Sequence, residues 1–218
     1  MSASGVVTVA ISLTEANELL LEYHAETDAP TPLNLTNHAY WNLAGAPDKR
    51  RHRGEPVPAP EPRGGAIGEH ELTLEADELV GIGPESIPTG RLLPVAGTPF
   101  DFTSPKPIGA DLSKAGEYDH CYVLRDSGPD LHRAAFVRDP SSGRTMEILT
   151  TSPGIQFYSG NKLAQANDEY GLPFAKHDAL CLETQFHPDA PNHEGFPDIT
   201  LRPGETFQQK TVHRFGVE

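Results

Sequence analysis

Two cysteines in 218 residues leave little scope for covalent bracing. Cys121 and Cys181 are too few for a disulfide framework, and they lack the spacing of a zinc site. No apolar run approaches the roughly 20 residues of a membrane-spanning helix. The opening residues MSASGVVTVAISL show neither the basic leader nor the long apolar stretch of a signal peptide. The expected setting is therefore a reducing cytosol, and the glycosylation-type triplet Asn34-Leu35-Thr36 is not read as an acceptor. Positive charge is scarce as well. Lys and Arg number 17 against 31 Asp and Glu, a formal net charge of −14. That balance excludes a nucleic-acid backbone or an anionic membrane surface as the main partner, since both repel negative charge. Also missing are Gly-x-Gly-x-x-Gly, a phosphate-binding loop, Gly-x-Ser-x-Gly and His-Glu-x-x-His. Dinucleotide enzymes, nucleotide hydrolases and α/β-hydrolases are thereby disfavoured.

The 21 prolines and 20 glycines punctuate the chain too often for long helices. Between them lie short alternating or β-branched runs. Val6 to Leu13 and Glu18 to Thr27 read as a hairpin turning at Asn17. Leu33 to Leu43 and Glu69 to Ala76 read as further extended segments. Pro88-Thr89-Gly90 and Val95 to Thr98 read as turns, and Ile108 to Ala115 as one short helix. Strands are expected over Asp119 to Leu124, Ala134 to Arg138, Thr145 to Thr150, Ile155 to Tyr158 and Leu180 to Thr184. Ile199 to Leu201 and Glu205 to Phe215 close the series. Many short strands with regular turn signals indicate an all-β fold, an antiparallel β-sandwich or barrel, in a single domain over residues 1–218. Residues 46–66 (APDKRRHRGEPVPAPEPRGGA) stand apart. They hold almost nothing apolar to bury and read as a solvated, Pro/Arg-rich loop insertion.

Four polar clusters interrupt the strand pattern. In the first, NLTNHAYWN, alternation puts His38, Tyr40 and Asn42 on one face and Asn37 and Trp41 on the other. Amides and aromatics around a histidine suit a sugar pocket, and histidine exchanges protons near neutral pH. A structural histidine with asparagines serving turn backbone fits the same residues. In the second, YDHCYVL, Asp119 leads a strand and is either a hydroxyl acceptor or a turn former. His120 and Cys121 beside it have no matching ligands at metal-site spacing. In the third, PGIQFYSGN, Gln156 sits between apolar neighbours and faces either a ligand or water. The fourth is CLETQFHPDAPN. Burying Glu183 at the end of an apolar run is costly unless it is paired or has a task. With an ordinary pKa of about 4.3 it is an anion available as a base; a solvent-facing Glu is the plainer alternative. His187, Asp189 and His193 lie on a proline-stiffened loop and are not read as metal ligands.

In order, the segments NLTNHAYWNLAG, IPTGRLLPVAGTPFDF, YDHCYVL, PGIQFYSGN, CLETQFHPDAPN and FPDITLRPGE resemble the aldose 1-epimerase (galactose mutarotase) family. The resemblance runs from about Val6 to Phe215. It implies a large antiparallel β-sandwich of the galactose mutarotase-like supersandwich type. It also implies interconversion of the α and β anomers of free aldohexoses such as galactose and glucose, with no metal or cofactor. By resemblance His38 is the general acid, Glu183 the general base, and Asp119, Gln156 and Tyr40 contact the sugar. Family members ordinarily carry a substantial N-terminal region ahead of the segment matching Val6, with strands, an arginine and a further histidine for the site. The expectation is thus an N-terminally truncated member whose exposed sheet edges promote self-association. A catalytically weak carbohydrate-binding fragment is the alternative. A hexose 6-phosphate epimerase would need a basic clamp that these clusters do not offer.

Overall fold

The computed structural model describes residues 4–45, 67–165 and 174–218. The strands are β1 (Gly5–Leu13), β2 (Glu18–Thr27), β3 (Thr31–Pro32), β4 (Glu71–Leu74), β5 (Ala76–Ile82), β6 (Pro88–Pro94) and β7 (Lys106–Pro107). They continue with β8 (Asp119–Leu124), β9 (His132–Arg138), β10 (Arg144–Thr150), β11 (Gly154–Tyr158), β12 (Cys181–Gln185), β13 (Thr200–Leu201) and β14 (Phe207–Val217). One sheet runs β1-β2-β14-β10-β9-β4-β7 and a second runs β12-β11-β8-β5-β6, with β13-β3 a small separate pair. The pairings are antiparallel.

The period-two pattern decides which way each strand faces. In β2, Leu21, Tyr23 and Ala25 are buried while Glu22, His24 and Glu26 are exposed. Between the sheets, Leu72, Leu74, Val137, Met146 and Ile148 of the large sheet join Leu79, Tyr122, Leu124, Ile155, Phe157 and Leu182 of the small one in a continuous core. A buried hydroxyl chain ties the layers. Thr184 on β12 lies 2.6 Å from Thr211 on β14, which lies 3.3 Å from Thr150 on β10.

β1 does not share in this burial. All nine of its residues are exposed, and on the face that continues from Leu21, Tyr23 and Ala25 it presents Val7, Val9, Ile11 and Leu13. Ile11 is 63% exposed and Leu13 77%. Nothing among the described residues covers this stripe.

The hairpin at Asn17 forms as the pattern predicts, with Asn17 left-handed at φ 59°. The short helix is present as a 3₁₀ turn (Ile108–Asp111) running into α1 (Leu112–Ala115). Two local expectations fail and a third holds only in part. Pro88-Thr89-Gly90 is not a turn but the start of β6, an edge strand where proline's missing donor costs no ladder bond. The Leu33–Leu43 stretch is not a strand. Asn37 accepts from the Ala39 amide and Asn42 from the Ala44 amide, so side chains compete for backbone that a ladder would need. The predicted strand at Glu69 to Ala76 is interrupted: a 3₁₀ turn precedes β4, and Ala76 already opens β5. The loop insertion at 46–66 lies outside the described residues.

Several histidines are buried uncharged. Burial pulls His213 down from its usual 6.5 to about 4. His70 is also lowered by burial, and its Nε2 accepts the Leu43 amide at 3.0 Å, which requires the neutral ring. A histidine whose folded pKa lies below its unfolded value contributes stability above the unfolded pKa, lost as pH falls through the folded one. The midpoint of thermal unfolding is therefore expected to drop as pH falls from about 6.5 toward 4. In His213→Phe the same calorimetric series should be shallower; an unchanged slope would contradict this account.

Candidate active site

The small sheet builds the floor of the site through register alone. Across β8, β11 and β12, Cys121, Gln156 and Glu183 form one lateral row, and Asp119, Tyr158 and Cys181 form the next. Alternation turns both rows to one face, away from the core side taken by Tyr122, Ile155, Phe157 and Leu182. Gln156 donates from Nε2 to Asp119 Oδ1 at 2.7 Å, a diagonal cross-strand bond that fixes both side chains.

The opposite wall comes from the irregular segment around His38. That segment runs along the free edge of β12 and is pinned at both ends of it. Asn34 donates to the Phe186 carbonyl at 3.0 Å and accepts from the Phe186 amide at 2.9 Å. Trp41 exchanges paired backbone bonds with Leu180, at 2.8 and 2.9 Å. Asn42 donates to the Asp178 carbonyl at 2.7 Å. Between these anchors, His38 Nε2 comes to 3.6 Å from Glu183 Oε1. The His38 side chain is half exposed, whereas Glu183 is buried. The ring of Tyr40 lies 5.1 Å from that of His38, and Tyr158 meets both edge-on.

The predicted residues converge. His38, Tyr40, Asp119, Gln156 and Glu183 all line one cavity of about 510 Å³. Asn42, placed beside His38 and Tyr40 by alternation, instead bonds Asp178, while Trp41 turns the other way against His213 and Phe215. The structure adds lining residues that the sequence reading passed over, among them Tyr158, Lys162, Cys121 and Gln185. Tyr158 has the parity of Gln156 on the same strand, so alternation was a usable signal. Lys162 depends on a turn. Gly160 is left-handed at φ 70°, and a side chain there would strike the Ala179 carbonyl. The tight turn lets the Lys162 amide donate to the Tyr158 hydroxyl at 2.8 Å. A larger groove of about 740 Å³ beside β1, β2 and β14 shares no residue with this site.

Electrostatics favour a proton acceptor at the floor. Burial raises the Glu183 pKa, the neighbouring charge of Asp119 raises it further, and His38 opposes both. Burial likewise raises the Tyr40 hydroxyl. His187 and His193 both pack on Phe196, and His193 pairs with Asp189 at 3.2 Å. Those three do not gather as a metal-binding group among the described residues.

The site is thus a buried carboxylate facing a half-exposed histidine over a polar cavity in a β-sandwich. The aldose 1-epimerase family model matches residues 6–214, and the chain belongs to that family. Human galactose mutarotase is 38% identical over 206 residues, covering 93% of this chain and 55% of the relative. Escherichia coli aldose 1-epimerase is 36% identical over 219 residues, covering 97% and 58%. The chain thus spans little more than half the length of these relatives. Among solved structures, an aldose epimerase homologue from C. elegans superposes with TM-score 0.80 at 30% identity, covering 99% of this chain and 65% of that one. The galactose 1-epimerase of Lactobacillus acidophilus shares the fold, with TM-score 0.75 at 24% identity, covering 98% and 57%.

Because Asn34 makes both of its bonds to one backbone position, Asn34→Ala removes the upper anchor of the His38 segment. Thermal or denaturant unfolding is expected to show a loss of about 1–3 kcal/mol, the range for breaking such bonds and stranding their partners. A wild-type midpoint would overturn the anchoring role.

Proposed function

We propose that this chain carries out aldose 1-epimerisation, with Glu183 as general base, His38 as general acid, and free aldohexoses such as galactose or glucose as substrates. The observation that carries the reading is the approach of His38 to Glu183 over a polar cavity, in a chain of this family. Glu183 takes the proton of the anomeric hydroxyl. As the bond between the anomeric carbon and the ring oxygen breaks, His38 gives its proton to that oxygen. The open aldehyde turns about the bond next to it. His38 then takes the proton of the attacking hydroxyl while Glu183 returns one to the carbonyl oxygen, closing the ring on the other face. The two oxygens hang on one carbon, so acid and base must serve adjacent atoms rather than opposite ends of the sugar. Their 3.6 Å separation suits that demand. The raised Glu183 pKa brings the base nearer the working pH, where proton transfer is most effective. Asp119 and Gln156, locked to each other, offer acceptor and donor atoms to the hydroxyls, and Tyr40 flanks the ring.

The test is polarimetry of freshly dissolved α-D-galactose. Acceleration over the spontaneous rate is expected. Glu183→Gln and His38→Asn should each lose on the order of 10²–10⁴ of it, the typical contribution of one positioned proton-transfer group. Full activity in both variants would remove the assigned mechanism.

We further infer a cytosolic setting and self-association along β1. Both cysteines are free and buried, which suits a reducing compartment. No helix among the described residues is long and apolar enough to cross a membrane. β1 is an edge strand without Lys, Pro or any charged side chain to discourage pairing. Light scattering behind size exclusion should find a species larger than one chain, and Val9→Lys should return it to a single chain. A wild-type monomer would overturn the pairing.

A further inference from the structure

One buried nucleophilic group at the site has no part in anomer exchange. Cys181 sits two residues before Glu183 on β12, on the same face, and is fully buried. Its sulfur, a carboxylate oxygen of Glu183 and a ring nitrogen of His38 all lie within 4.8 Å of one another. We propose that His38, Cys181 and Glu183 form a binding site for a thiophilic divalent cation of the zinc type, and that its occupancy switches off the acid–base pair. The switching rests on the function proposed above; the cation site rests on the geometry alone.

The donor set is one nitrogen, one sulfur and one carboxylate oxygen, a combination that zinc accepts and that leaves a fourth position open. Zinc bond lengths of about 2.0–2.3 Å put tetrahedral ligand atoms about 3.4–3.6 Å apart. The His38–Glu183 separation of 3.6 Å already meets this. No pair is more than 4.8 Å apart, so closure asks for at most about 1.4 Å given those bond lengths. The backbone of β12 is held by its ladder with β11, so the adjustment falls to side-chain torsions of the three donors, with most room at His38, whose side chain is 52% exposed. Once the thiol gives its proton to solvent, a sulfur–metal bond takes its place with no change of oxidation state. Thiolate and carboxylate then bring two negative charges to a divalent ion. Hard cations such as Mg²⁺ prefer all-oxygen shells and are poorly served here. Burial, Glu183 and Asp119 all raise the Cys181 thiol, so without a cation it stays protonated and inert; a bound divalent charge reverses that preference. With the cation in place, His38 has no free lone pair to carry a proton and the Glu183 oxygen is engaged. Cation and sugar turnover are thus mutually exclusive.

The test uses Co²⁺ as a spectroscopic probe of the reduced 218-residue chain. One equivalent should produce thiolate-to-cobalt charge-transfer absorption that Zn²⁺ displaces and Mg²⁺ does not. Cys121→Ser should keep the band, whereas Cys181→Ser and Cys181→Ala should each lose it. Zinc affinity in both Cys181 variants should fall by more than the ~10–100-fold that losing an outer-shell partner costs. In polarimetry Zn²⁺ should slow wild-type mutarotation reversibly on chelation, while Cys181→Ser turns over and resists it. No band in the wild type, or a band that survives in Cys181→Ser, would overturn the site. A band in a chain without mutarotation would uphold the cation site and remove the proposed function instead. Mutarotation without a band would do the reverse.

Discussion

The site depends on how the free edge of β12 is closed. An edge strand presents unpaired backbone groups to whatever lies beside it. Here that neighbour is a stretch of chain that forms no ladder of its own, held by Asn34 at Phe186 and by Trp41 at Leu180. The two anchors bracket Cys181–Gln185, so one device satisfies the edge, buries Glu183 and sets His38 opposite it. Glu183 is held because it belongs to a sheet tied through Thr184 to the larger layer. His38 can adjust because only its flanks are fixed. The two side chains thus come from segments far apart in the chain, Asn34 and Phe186 being separated by 152 positions.

Much of this was legible beforehand, for identifiable reasons. Alternation and turn residues gave the strands β8 to β12 to within a residue or two, because each carries an apolar face toward the core. Burial made Glu183 conspicuous, since a carboxylate in an apolar run needs a reason to be there. The segment around His38 misled because its apolar residues alternate while its asparagines bond local backbone, a choice that pattern does not display. Asn34 was legible as an unused glycosylation triplet and as the first residue of a polar cluster, without a role of its own; that role appears once Phe186 is beside it. β6 was hidden by its prolines, which an edge strand tolerates and a central one does not. Parity within β11 and β12 gives Tyr158 and Cys181 the face of Gln156 and Glu183, but their meeting in one row with Asp119 follows from register, which is not written in any one segment.

Histidine shows how strongly environment divides one residue type. His70 and His213 are buried and pushed toward neutrality, one of them accepting a backbone amide. His38, of the same chemistry, keeps half its side chain in the open beside a carboxylate. Ring packing marks the difference too. His213 rests on Trp41, whereas His38 meets Tyr40 and Tyr158 at the cavity wall.

The uncovered β1 bears on the dynamics of the whole. It contributes nothing to the core shared by the two layers, so separating it from β2 costs its ladder and little apolar contact. Free energies of local opening are lowest where buried contacts are fewest. The first cooperative unit to open should therefore be this strand, with its amides exchanging ahead of those of β10 and β14. The cavity floor stands on β8, β11 and β12 of the other sheet, which share no ladder with β1. The edge can therefore loosen while the pocket keeps its shape.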